Sequence, residues 1–234
     1  MRVLCSIGLG AFLWVGCGSG SGTQRACATD IEAGEVQNFA EPTPSRTEGI
    51  VFDADGTLYV SAQDPSAPDQ LLEILSDGSA RGVAESESIL GLESDSRGIV
   101  AAAIDTGEVI LIDPADGTNE LITDAIRAPN FVVTTPWDTI LVSDDTPGED
   151  SVYEVGWDGE VKTWVTGMPT PNGMVFSLDE TVLYVAATFD QPGLWQIPVS
   201  AEGEAGTPER WVEFDAGTTP DGVAIDSEGS IYVA

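Results

Sequence analysis

The sequence predicts an all-β chain built as a β-propeller of four-stranded blades, and three observations predict it. One motif returns five times at intervals of 40 to 49 residues, 26 glycines and 14 prolines break the chain into short segments, and no run carries a long helical period. The 234 residues allow one large domain or two small ones, and an apolar content of 42 % is enough for a sizeable core. Aromatic residues at 7 % set the chain apart from a disordered acidic polypeptide.

The first element is a leader. Arg2 precedes an apolar stretch from Val3 to Val15, too short to span a bilayer and of the length of a signal-peptide core. It ends in Leu13-Trp14-Val15-Gly16-Cys17, followed by Gly18-Ser19-Gly20-Ser21-Gly22. This run resembles the lipobox of bacterial lipoproteins. The resemblance implies a signal peptide over 1–16, lipidation of Cys17, and a place in the bacterial cell envelope, lipid-anchored at the outer membrane or in the periplasm. Ordinary secretion is the alternative. Cys5 would leave with the leader and Cys17 would carry lipid, so Cys27 stands alone and no intrachain disulfide is expected. Residues 17–46 are rich in Gly, Ser, Thr and Pro and read as a tether and lead-in segment.

The body, 47–234, is the repeat. Its five segments are Glu48-GIVFDADGTLYVS, Leu90-GLESDSRGIVAAA, Asn130-FVVTTPWDTILVS, Asn172-GMVFSLDETVLYVA and Asp221-GVAIDSEGSIYVA. Aligned on Gly49, Gly91, Phe131, Gly173 and Gly222 they are spaced by 42, 40, 42 and 49 residues. Each holds two apolar strands around a turn, and the first four are followed by two more apolar runs. These runs are LLEIL with ARGVA, EVILI with NELIT, SVYEV with EVKTW, and LWQIP with RWVEF. Four short strands per repeat at this period make a propeller blade, with blades beginning near 48, 90, 130, 172 and 221. The chain stops in the second strand of the fifth repeat, and a propeller must close to remove its edges. A fragment is therefore expected, missing half a blade and at least one more, about 60 residues.

Charge narrows the function. Forty acidic groups face eight basic ones, giving −32, and Lys162 is the sole lysine. The arginines are scattered, so no basic stripe exists for phosphates, and nucleic acid and anionic lipid are excluded as electrostatic partners. Membrane association is expected only through the lipid anchor, and the protein is expected to be a monomer. The absence of histidine removes Ser-His-Asp and Cys-His catalysis and helix-borne zinc motifs. A metal here would meet mainly oxygen donors, which favours calcium or magnesium.

Two features read as structure. Asp53-Ala54-Asp55-Gly56 looks like the start of a calcium loop, but the run behind it alternates as a strand does. The related turns at Asp113–Gly117, Asp158-Gly159 and Asp226–Gly229 fall at equivalent points, and tight hairpins explain them all. The six tryptophans are expected in the core or between blades.

The stretches Pro171–Ala186 and Pro220–Ala234, PNGMVFSLDETVLYVA and PDGVAIDSEGSIYVA, resemble the gluconolactonase and regucalcin (senescence marker protein) family. The resemblance covers residues 48–234. It implies a six-bladed propeller with one divalent cation on its axis, most often Ca2+, with Mg2+, Mn2+ or Zn2+ as variants. It implies Glu48, Asn172 and Asp221 as metal ligands and Asn130 as the contact to substrate or metal-bound water. Each of the four stands just before the innermost strand of its repeat, a position that faces the central channel, and Leu90 is the apolar exception. Two carboxylates and two amides suit a hard cation with positions open to water and substrate. A residue of this type can equally cap a turn before a strand.

The family often has Asn-Asp-Gly where this chain has Asn130-Phe131-Val132, and Pro and Trp where it has Ile50-Val51-Phe52. Arg127 does not match the spacing of the substrate-binding arginine of some members. These departures bear on substrate more than on metal. The resemblance implies a metal-dependent hydrolase of a small lactone or related ester, with Asp221 as the catalytic base. Two alternatives stay open. One is a non-catalytic, lipid-anchored propeller presenting its rim to a protein or glycan. The other is a strictosidine-synthase-like propeller.

Overall fold

The computed structural model describes residues 3–5, 46–64, 68–144, 146, 148 and 150–234, and every regular element among them is a strand. The leader beyond Cys5, Cys17 and the tether up to residue 45 lie outside the described residues, and Arg46, the last residue assigned to the tether, instead opens the first strand of the propeller. The second strand of each repeat is apolar at nearly every position, as a strand sandwiched on both faces must be. Gly98–Ala103 and Ile140–Asp144 are buried almost throughout.

Four antiparallel sheets of four strands follow one another along the chain. The first holds β2 (Arg46–Phe52), β3 (Leu58–Gln63), β4 (Asp69–Ile74) and β5 (Ala80–Ser86). The second holds β6 (Ile89–Asp95), β7 (Gly98–Ala103), β8 (Glu108–Ile112) and β9 (Asn119–Thr123). The third holds β10 (Pro129–Thr134), β11 (Ile140–Asp144), β12 (Val152–Val155) and β13 (Val161–Val165). The fourth holds β14 (Pro171–Phe176), β15 (Val182–Ala187), β16 (Gly193–Pro198) and β17 (Glu209–Glu213). In each, sequential strands pair in chain order, which is the meander of a propeller blade. The fifth repeat supplies β18 (Val223–Ile225) and β19 (Ile231–Val233). On β19 lies a three-residue parallel strand, β1 (Val3–Cys5), in register Val3 to Ile231. The unpaired N–H and C=O groups of an edge accept any extended apolar segment.

Four of the five core clusters among the described residues sit between blades, and the fifth, Leu58, Val60, Ala62, Leu72 and Ile74, lies on the first blade. Leu71, Ile89, Leu92, Ile99 and Ile112 pack the first blade on the second. Val100, Val109, Val132, Ile140 and Val142 pack the second on the third. Leu141, Met168, Met174, Leu183 and Ile197 pack the third on the fourth, and Leu194, Val223, Ile231 and Val233 pack the fourth on the fifth. Polar links cross the same seams. The Thr134 hydroxyl donates to Glu93 at 3.2 Å, and Arg97 pairs with Asp138 at 2.6 Å while stacking over Trp157. Trp137, Trp164 and Phe176 form one aromatic group and Tyr184 meets Trp211, so these tryptophans pack inside the molecule as expected.

The Asp-Gly segments are hairpin turns. Asp53 closes its turn through Asp53 N–H to Thr57 O and Gly56 N–H to Asp53 O, both 3.0 Å, with Gly56 at φ +78°. Asp226 does the same with Ser230 and Gly229.

Candidate functional site

All four complete blades carry the same irregularity. In the first, Thr47 pairs with Ala62 and Ile50 with Val60, so Glu48 and Gly49 form a bulge. Leu90 and Gly91, Asn130 and Phe131, and Asn172 and Gly173 form the bulge in the next three. A bulge adds a residue to one strand and re-aims its side chains. Every position singled out before an inner strand therefore lies on a bulge, except Asp221, which stands one residue, Gly222, ahead of β18.

Close contacts link neighbouring positions at three of the seams, while Asn172 and Asp221 are not among the residues lining the cavity that Glu48 and Asn130 share. The residue after each site position lies against the backbone of the next blade's site position. A Cβ on Gly49 would fall 2.1 Å from the Leu90 carbonyl, one on Gly91 2.5 Å from that of Asn130, and one on Gly173 2.3 Å from that of Asp221. Gly173 N–H donates to the Asp221 carbonyl at 3.1 Å. The third blade has Phe131 instead. Its side chain packs into the seam with Met174 and Trp195, and its N–H donates to Ser143 Oγ at 3.0 Å. The Gly49 N–H is held alike by Ser61 Oγ at 2.6 Å. The altered third-blade motif thus serves the packing between the third and fourth blades.

Glu48, Leu90 and Asn130 line one cavity of about 560 Å³, together with Arg46, Asp64 and Asp105. Asn130 and Asn172 are buried at 5 % and 4 % exposure. Asn172 donates its side-chain amide to Asp221, which orients that amide, while its Oδ1 is buried with no hydrogen-bond partner. Burial pushes the Asp221 carboxyl up from its ordinary value, against the pull of Arg46 and the Asn172 amide. Arg46 joins the two halves: its guanidinium meets Glu48 Oε2 at 2.7 Å and its charge reaches Asp221.

A brace holds Asp221 in place. The Thr188 hydroxyl donates to the Pro220 carbonyl at 2.8 Å, and its N–H donates to Thr170 O at 3.1 Å. Thr170 Oγ1 in turn accepts the Phe189 N–H at 3.0 Å. Sequence reading did not find Arg46, Thr188, Ser61 or Ser143. The serines carry a signal, since each stands 12 residues beyond the bulge residue that it holds. Thr188 and Arg46 carry none, because their partners lie in another blade or at the edge of the repeat.

The donor set fits a hard cation. Among the described residues no three carboxylate, histidine or cysteine side chains gather, so a metal would rest on two carboxylates and amide oxygens. The stranded Asn172 Oδ1 is the strongest sign, because a buried acceptor with no donor is costly and a cation satisfies it. Glu48 and Asp221 would supply the charge, with Asn172 and Asn130 adding neutral oxygens.

Comparison with known proteins agrees with this architecture. Pentonolactonase XacC of Haloferax volcanii is 29 % identical over 156 residues, covering 64 % of this chain and 53 % of its own, so the chain spans about half the length of that relative. A gluconolactonase of Xanthomonas campestris superimposes with TM-score 0.69 at 20 % identity, over 82 % of this chain and 70 % of its own. Regucalcin of Agrobacterium tumefaciens strain C58, described as a calcium-binding protein, superimposes with TM-score 0.67 at 24 % identity, over 84 % and 69 %. The two structural likenesses establish the propeller fold. A model of the SMP-30/gluconolactonase/LRE-like region matches residues 47–234, and the chain belongs to that family.

Proposed function

We propose that this protein is a lactonase-type hydrolase working on a small lactone or related ester at the head of the inner strands. The observation that carries the reading is the buried, unpartnered Asn172 Oδ1 beside Asp221, an arrangement that makes sense once a cation is present. Glu48, Asn172 and Asp221 are the ligands, and calcium is the favoured ion for an all-oxygen set. When bound, the divalent ion supplies Lewis acidity toward the ring carbonyl and the attacking water.

The chain's own residues do the rest. Asn130, on the wall of the cavity, orients the substrate or its water. Asp221 accepts a proton at its carboxylate from the attacking water, and its buried setting raises its basicity toward that task. Thr188 keeps the Pro220-Asp221 segment against the fourth blade, so the base and Asn172 hold one geometry. The Leu90 side chain lines an apolar sector of the same cavity.

The lipobox-like Cys17 and the leader would place this site at the bacterial cell envelope on an N-terminal lipid anchor. Metabolic labelling with a fatty acid, lost in Cys17→Ala, tests this separately.

The reaction is tested by stripping the full chain with chelator, restoring calcium, and following acid release from five- and six-membered aldonolactones. Hydrolysis that needs calcium and disappears in Asp221→Asn supports the reading. A stripped chain that binds no calcium and hydrolyses neither lactone overturns it and leaves a binding propeller in its place.

A further inference from the structure

Arg46 is an unusual neighbour for a metal site. Among the described residues it is the single basic one on a cavity wall that also carries Glu48, Asp64, Asp69 and Asp105. With acids so abundant there, its guanidinium pairs with the site residue Glu48 itself, at 2.7 Å. Its backbone is pinned by the β2–β3 ladder, where Arg46 faces Gln63, just ahead of the bulge that carries Glu48. Its side chain is 65 % exposed, so no packed neighbour blocks a second rotamer of the head group. An exposed pair of this kind adds little to stability, and its meaning lies in what else needs the same oxygens.

A divalent ion and a guanidinium cannot both sit on Glu48 without repulsion. We propose that Arg46 is the counter-cation of the metal-free channel, that metal binding displaces it into the cavity, and that it then receives a carboxylate group of the substrate. The substrate class that follows is a lactone bearing a free carboxylate, a dicarboxylic sugar acid closed at one end. This inference rests on the metal-dependent lactonase reading and adds the substrate class to it.

The chemistry favours this assignment. A guanidinium fork matches a planar carboxylate with two parallel hydrogen bonds. In a chain of formal charge −32 the general field repels anions, so an anionic substrate needs a local cation on the wall it approaches. Arg46 is that cation, and the cavity of about 560 Å³ lies within the range that accepts a sugar-sized ligand. Until metal arrives, the same head group pairs with Glu48 and its charge also draws on Asp221, so one cation serves both carboxylates.

The test uses the full chain and its Arg46→Gln and Arg46→Lys variants, with folding checked by near-ultraviolet circular dichroism. Calorimetric titration with calcium alone should show at least tenfold tighter binding in Arg46→Gln, because the internal competitor is gone. Arg46→Lys should stay nearer the parent. With calcium bound, kcat/KM for glucaro-1,4-lactone relative to the neutral glucono-lactone should fall at least tenfold in Arg46→Gln. Equal calcium affinity in parent and Arg46→Gln, or an unchanged ratio between the two lactones, overturns the proposal. Calcium binding by Arg46→Gln but not by the parent upholds the competition while overturning metal dependence in the natural chain. Binding by neither overturns both.

Discussion

Carboxylates stand at both ends of the blades, and the two ends treat them in opposite ways. At the hairpin end the acids are consumed by their own turns. Asp53 Oδ1 accepts the N–H groups of Asp55 and Thr57, and Asp226 accepts those of Glu228 and Ser230 and the Tyr232 hydroxyl. The Ser79 and Thr118 hydroxyls hold the Asp77 and Asp116 carboxyls below their ordinary range, and the Ser230 N–H does the same for Asp226. At the site end burial raises Asp221, whose hydrogen bond comes from the side chain of another blade. The lesson is that an acid whose lone pairs are taken by its own turn builds structure. An acid that faces other blades is available for a cation.

The sharpest way to break this comparison is to remove one acid from each end. Asp221→Asn should raise the calcium dissociation constant at least 100-fold by calorimetry, and Asp226→Asn should leave it within twofold. Equal losses would erase the distinction between the ends.

Glycines provide the next contrast. Gly173→Ala would drive a Cβ into the Asp221 carbonyl and force the inner strands apart, at a cost of about 2 kcal/mol in chemical denaturation. Gly56 sits at φ +78° with open space around it, so Gly56→Ala meets only backbone strain of about 1 kcal/mol. Weaker calcium binding should accompany the first substitution and not the second.

Between the two ends lies Glu93, at the seam of the second and third blades. Burial pushes its carboxyl up to about 7 from 4.5, against the pull of hydrogen bonds from Thr134. The folded chain keeps a proton that the unfolded chain has released. Stability present below about pH 4.5 is therefore lost as pH rises through about 7, and is level above it. Glu93→Gln keeps an acceptor for Thr134 without the charge. It should flatten that slope and stabilise the chain at pH 8 by about 1 kcal/mol, since contact with solvent trims the roughly 3 kcal/mol of the full shift. A parent chain equally stable at pH 5 and pH 8 would contradict this.

The smallest effect belongs to an exposed turn. Asp116→Ala removes the acceptor of the Thr118 N–H and hydroxyl, both under 3 Å. The thermal midpoint should drop slightly, with calcium affinity unchanged. A change in affinity would mean that the two ends are coupled.

The blades were legible in the sequence because their information is local and periodic. Each strand announces itself by its apolar run and each hairpin by its aspartate and glycine, so four complete sheets appear where the repeats put them. The positions of Glu48, Asn130 and Asn172 were legible for the same reason, as one register point repeated, and Asp221 as the matching point ahead of the fifth repeat's first strand. The bulges were not, because a register shift is a property of two paired strands, and neither strand alone records it. Phe131 illustrates the limit. In the sequence it is a departure from a motif, and in the structure it fills the seam beside Met174.

By itself, then, the sequence determined the strands, the turns, the period and the chemical types of the site residues, since all of these follow from neighbours along the chain. The tertiary structure alone decided that Asn172 leaves its Oδ1 stranded, that Thr188 braces Pro220 across 32 residues, and that Arg46 pairs with Glu48. Those facts depend on how closely separate blades approach at the axis. Side-chain volume and backbone geometry set that approach, and no run of adjacent residues encodes it.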